Sequence, residues 1–159
     1  MKLYIKQKMF SWGDKFRVYD AFGNDRYFVT GEVFSFGKKL HLCSPFGNEL
    51  AFIHQKVFAM LPKYYISRGG TDVAQVKKRV SFLPEYTVEE LGWTVTGDFF
   101  SHEYVITAAG GTVATISKHW FTWGDTYEID IADGADEIIA LCVVLAIDAV
   151  IAQSSSNSR

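Results

Sequence analysis

Polar and apolar side chains alternate along most of this chain, beginning with Lys2-Leu3-Tyr4-Ile5-Lys6. A period of two predicts half-buried β-strands, with one face turned to a core and the other to water. Taken with the turn residues, the alternation gives about twelve strands. They fall near 2–8, 15–20, 26–35, 38–44, 49–58, 63–68, 72–82, 86–90, 92–100, 103–108, 112–121 and 125–131. Short connections favour antiparallel neighbours.

The pattern repeats. Gly47-Asn48-Glu49-Leu50-Ala51-Phe52-Ile53 returns as Gly70-Thr71-Asp72-Val73-Ala74-Gln75-Val76 and as Gly110-Gly111-Thr112-Val113-Ala114-Thr115-Ile116. Each copy then places a base or His before an apolar residue, as Lys56-Val57, Arg79-Val80 and His119-Trp120. Phe22-Gly23-Asn24 matches Phe46-Gly47-Asn48, and Val29-Thr30-Gly31-Glu32 matches Val95-Thr96-Gly97-Asp98. Phe10-Ser11-Trp12-Gly13-Asp14-Lys15-Phe16 matches Phe121-Thr122-Trp123-Gly124-Asp125-Thr126-Tyr127. Several matches in the same order point to one supersecondary unit used repeatedly. The repeat also decides Val73 to Phe82, whose Lys-Lys-Arg centre could suit a helix but whose sister copies read as strands.

After Ile131 the period changes. Asp133 is placed to cap a helix, and Asp136 and Glu137 put negative charge on its first turn. Ile138 to Ala152 is then apolar on every side, so it must be enclosed by protein or by lipid. As a helix it spans about 22 Å, against roughly 30 Å of bilayer hydrocarbon. Asp148 would cost roughly 2.5–3.5 kcal/mol near the bilayer centre. An eight-stranded barrel is filled by its own side chains, whereas about twelve strands leave room for a helix. The expected architecture is therefore mainly β: a closed antiparallel barrel around a central helix carrying Ile138, Leu141, Val144, Leu145 and Asp148. One domain covers 1–152, and the serine-rich 153–159 is expected to fray as a flexible tail.

Composition narrows the function classes. A hydrophobic share of 48% excludes a disordered chain, and 16% aromatics suit strands. A net charge of −2 argues against a general nucleic-acid binder, which carries a basic face. Cys43 and Cys142 do not make a disulfide framework, and the first residues lack the apolar run of a secretory signal. The expectation is a cytoplasmic protein.

These units, the Phe-Gly-Asn turns, Gly110 to Ile116 and the closing apolar helix resemble the LURP-one-related family over Met9 to Ala152. That family is related to the C-terminal domain of Tubby proteins and to phospholipid scramblases. The resemblance implies a twelve-stranded Tubby-like barrel around a hydrophobic helix. It also brings phosphoinositide headgroups into view, since Tubby domains hold them with basic surface residues. The cysteine clusters, proline-rich segments and calcium-binding stretch of the scramblases are missing here.

Candidate chemistry is sparse. Gly31 to Lys39 has one residue too many for a phosphate loop, and Lys39 stands where Ser or Thr would hold magnesium. His41 and Cys43 share a strand face and could supply two metal ligands, but a zinc site needs three or four. No nucleophile elbow or catalytic cysteine context is present. The expectation is no catalytic residue, no metal and no cofactor.

The remaining feature is basic: Lys77 and Arg79 share one strand face, with Lys38, Lys39 and Arg68 in neighbouring hairpins. They form either an anion or lipid-headgroup patch or, the simpler account, a charged outer barrel wall that keeps the protein in solution. Asp148 is the other oddity, because burial demands a partner, either a basic barrel residue or water at the barrel mouth. The reading that follows is a non-enzymatic binding domain, peripheral to an anionic membrane surface. The alternative is a protein-interaction scaffold with an unidentified protein partner and no lipid. An enzyme with a pocket at a barrel end ranks third, and nucleic acid is not expected.

Overall fold

Each strand that the alternation marks out forms, and they follow one another around the barrel in chain order. The computed structural model describes residues 1–6, 15–32, 35–119 and 126–158. The first strands are β1 (Lys2–Lys6), β2 (Lys15–Asp20), β3 (Asp25–Gly31), β4 (Lys39–Cys43), β5 (Glu49–Gln55) and β6 (Lys63–Arg68). They continue as β7 (Thr71–Arg79), β8 (Glu85–Val88), β9 (Trp93–Asp98), β10 (Glu103–Ala108), β11 (Gly111–His119) and β12 (Thr126–Ile131). Among the described residues one α-helix, α1 (Glu137–Asn157), follows the strands, and a short 3-10 turn spans Glu89–Leu91. Every strand pairs antiparallel with its neighbours in sequence, and β1 pairs with β12 to close the barrel.

Alternation sorts the side chains. Leu3, Ile5, Val18, Val29, Ile53 and Ile106 point inward and are wholly buried, as are Leu141, Val144 and Leu145 of α1. Ile138, at the first turn of α1, is half-buried. The alanine shared by three repeats (Ala51, Ala74 and Ala114) also faces in and is buried, and α1 lies nearest β5, β6 and β12. Small residues on the inner wall leave the helix its space.

The repeats build matching turns. In the β2–β3 turn a carboxylate oxygen of Asp20 accepts from the amides of Phe22 and Asn24. In the β4–β5 turn the Ser44 hydroxyl accepts from the amides of Phe46 and Asn48. Gly23 and Gly47 donate to the Asp20 and Ser44 carbonyls, both at 3.0 Å. The hairpins β2–β3, β4–β5, β6–β7 and β10–β11 each carry a register shift near the closed turn. The Phe10 and Phe121 copies lie mostly outside the described residues, as do positions 7–8, 33–34 and 120–121 of the expected strands.

Gly97 shows how closely neighbouring strands approach. It has φ +139°, and a Cβ there would stand 2.6 Å from both the Glu103 carbonyl oxygen and the Tyr104 Cα. Backbone cannot yield as a side-chain tip can, so Gly97→Ala is expected to cost roughly 2–4 kcal/mol. Urea unfolding at constant slope measures it, and a loss below 1 kcal/mol would mean that the two strands can separate there.

The helix differs from expectation in three ways. Its N-cap is Asp136, which accepts from the Ile139 amide at 3.1 Å, while Asp133 lies in the preceding turn. It runs through Gln153 and the serines to Asn157, so the segment expected to fray is helical. The Ser154 and Ser155 hydroxyls donate to the Val150 and Ile151 carbonyls, satisfying themselves within the helix. At 21 residues it is about 31 Å long, enough to cross a membrane. Its enclosure therefore rests on burial, which is continuous from Ile139 to Val150, and not on shortness.

Strand direction gives the barrel two distinct ends. Short turns at 21–24, 44–48, 69–70, 89–92 and 109–110 surround the entry end, where α1 begins. The connections β3–β4, β5–β6, β7–β8 and β9–β10 surround the exit end, where α1 emerges. The expected strands run too long here, since β5 stops at Gln55 rather than 58 and β7 at Arg79 rather than 82.

Candidate functional site

Three polar constellations stand out against the apolar barrel. The first is internal. Asp148, on α1, accepts a hydrogen bond from the Tyr127 hydroxyl of β12. Its other oxygen lies 3.3 Å from Nε2 of His102, within ion-pair distance but not aligned for a hydrogen bond. The His102 ring stacks on Tyr127 with centroids 4.4 Å apart. One residue along the helix, the Ala149 carbonyl accepts from Lys38 Nζ at 3.1 Å.

All of these side chains are buried. Burial lowers the Lys38 pKa to about 8, with nearby Asp148 opposing that fall. Burial also pushes Tyr127 and Tyr104 well above the ordinary phenol value, and Asp148 adds to it. Both phenols therefore remain protonated, and Tyr127 serves as a donor. The cluster ties one helix turn to β12 and two connections; Asp148 has basic barrel partners, one of the two outcomes its burial allowed.

The second constellation is an aromatic ladder on the outer wall. His41, Phe52, His54 and Tyr65, on β4, β5 and β6, stack in succession at centroid spacings of 4.7, 5.1 and 5.1 Å. A groove of about 440 Å³ runs beside it, lined by Glu49, Ser67 and Asp72 among others. His41 reaches Glu49 at 2.8 Å through Nδ1 and Glu32 at 3.1 Å through Nε2. Burial alone would lower the His41 pKa, yet the two carboxylates raise it above its usual value. With both ring nitrogens engaged, His41 and Cys43 do not form the start of a metal site. Among the described residues no group of three His, Cys, Asp or Glu is placed to hold a metal ion.

The third is the basic patch, and it does not assemble as expected. Lys77 and Arg79 do share the outer face of β7, but both reach Glu89, at 3.4 and 3.3 Å. Arg68 lies at the entry end and pairs with the helix cap Asp136 at 2.9 Å. Lys38 turns inward. Lys39 alone of the five stays on the outside without an ion pair among the described residues.

A wider charge pattern takes the patch's place. Lys6, Lys15, Lys39, Lys56, Lys63, Lys78, Arg79 and Lys118 lie near the exit end, where they outnumber the acids there, Glu32, Glu85, Asp98 and Glu103. Asp20, Asp25, Glu49, Asp72, Glu89, Glu90, Asp133 and Asp136 lie near the entry end and outnumber the bases there, Lys2, Arg26 and Arg68. A net charge of −2 conceals this separation. The sequence held a signal for it: the base that closes each repeat, Lys56 or Arg79, follows a strand running in the same direction and so reaches the same end.

Fold and geometry define a closed twelve-stranded barrel filled by its own helix, charged oppositely at its two ends. The LURP-one-related family pattern matches residues 1–148, and the chain belongs to that family. It is 35% identical to the uncharacterized protein YxjI of Bacillus subtilis (strain 168), across 99% of this chain and 98% of that one. An X-ray structure of an Arabidopsis thaliana protein superposes with a TM-score of 0.65 and 19% identity. That match covers 92% of this chain and 89% of the plant one, and is a likeness of fold.

Proposed function

We propose that this protein is a non-enzymatic binding barrel that associates peripherally with anionic phospholipid at the cytoplasmic membrane surface. The observation that carries this reading is the segregation of charge. A basic end facing an anionic surface gains about 1 kcal/mol per Lys or Arg brought near it. The acidic end is then held away by the same field. The helix is structural on this view, since its faces are occupied by the barrel wall.

Co-sedimentation with phosphatidylcholine vesicles, with and without phosphatidylserine, tests it. Binding should require phosphatidylserine and weaken as salt screens the charges. Reversing Lys39, Lys56 and Lys63 to Glu should weaken it roughly hundredfold or more, with the circular dichroism spectrum unchanged. No binding at any salt would defeat the proposal and leave a protein-interaction scaffold, for which the acidic groove beside Asp72 is the natural contact.

A further inference from the structure

Large apolar side chains are concentrated at the basic end. Phe36 in the β3–β4 connection, Phe58 and Met60 in β5–β6, Phe82 and Leu83 in β7–β8, and Phe100 in β9–β10 are all exposed. Phe58 and Phe82 are essentially bare, at 92% and 102% of full exposure. These connections are consecutive around the rim, and the Phe36 and Phe58 rings approach to 5.6 Å. Phe58 also has φ +62°, a left-handed backbone that a bulky residue adopts only at a cost. Nothing in the barrel is gained by holding these rings in water. Exposed apolar groups so concentrated mark a surface that meets an apolar phase.

We infer that these connections insert their tips into the acyl boundary of an anionic bilayer, fixing the barrel with its exit end down; this rests on the reading proposed above. Lys39, Lys56 and Lys63 stand at the strand ends just behind the tips. Once the rings are inserted, that is headgroup level, where apolar burial and attraction to anionic lipid act together. Tips on separate loops also suit a deformable bilayer. Phe22 and Phe46, exposed at the other end, stand among Asp20, Asp25 and Glu49, which anionic lipid repels.

The test uses the full chain carrying Cys43→Ser, since Cys142 is wholly buried. An environment-sensitive fluorophore is attached in turn to Phe58→Cys, Phe82→Cys and Phe46→Cys. Each is mixed with phosphatidylcholine–phosphatidylserine vesicles whose acyl chains are brominated, and sedimentation is read on the same samples. Quenching at 58 and 82 but not at 46 is the expected result. Sedimentation without quenching at 58 and 82 means adsorption alone, which overturns insertion and leaves the proposed function standing. Quenching at 46 overturns the orientation, and no sedimentation overturns both readings. In parallel, Phe58→Ser with Phe82→Ser should weaken partitioning roughly a hundredfold. Phe22→Ser with Phe46→Ser should not change it, and all four rings are exposed, so folding is not at stake.

Discussion

Leu145→Asp is expected to yield a chain that does not fold. Leu145 is wholly buried at the middle of α1, with apolar helix neighbours on both sides and the barrel wall around them. Removing the side chain from its site forfeits about 2–5 kcal/mol. Placing an unpaired carboxylate there adds several kcal/mol more, even after the group protonates. Domains are stable by about 5–15 kcal/mol in total, so the sum consumes most or all of it. Circular dichroism and thermal unfolding would report it, with Leu145→Ala as the milder companion that retains the fold. A cooperative, heat-resistant Leu145→Asp protein would mean that the helix is not held inside the barrel.

Asp148→Leu is the second large effect, and it acts through what is left behind. The substitution keeps the branched shape, in a somewhat larger side chain, but takes away the acceptor for the Tyr127 hydroxyl and the polar neighbour of His102 and Lys38. Breaking a buried charged cluster from one side costs about 3–5 kcal/mol. For a chain of this size that lowers the melting temperature by roughly 10 °C. Adding Lys38→Met to Asp148→Leu should recover part of the loss, because the stranded ammonium goes with its partner. If Asp148→Leu alone costs under 1 kcal/mol, the cluster is not a tie between helix and wall.

The strands and the enclosed helix were legible because they are written in local periods of two and of continuous apolarity. Even the turns were, since Phe22-Gly23-Asn24 and Phe46-Gly47-Asn48 fold into the same bonds. Failures fell where a local pattern is ambiguous. Phe58 and Phe82 continue the alternation of β5 and β7, so they read as strand, yet both lie in connections with their rings outside. Apolar character alone cannot distinguish a ring facing the core from one facing outward.

The basic residues lie apart for a different reason. Lys38 and Lys39 were grouped as neighbours in sequence, although adjacent residues near a strand point to opposite faces, and one enters the barrel. Arg68 was grouped by hairpin, although its strand runs toward the entry end. The partners of Asp148 were not legible at all. His102 reaches it from a connection with φ +55°, through a register set by the whole barrel wall.

Position along the chain has its own consequence. The helix that fills the barrel comes after every strand, and β1, paired with β2 on one edge, lacks its other neighbour until β12 exists. During synthesis, therefore, the wall is made first and emerges with nothing inside it, its inward faces wet and its first and last edges open. Closure has to wait until β12 and α1 have been made, and it must then join β1 to a strand more than a hundred residues away. Contacts so distant in sequence slow folding, and unpaired strand edges invite pairing with other chains meanwhile. This barrel should need a chaperone's attention most before α1 is in place, and little once shut.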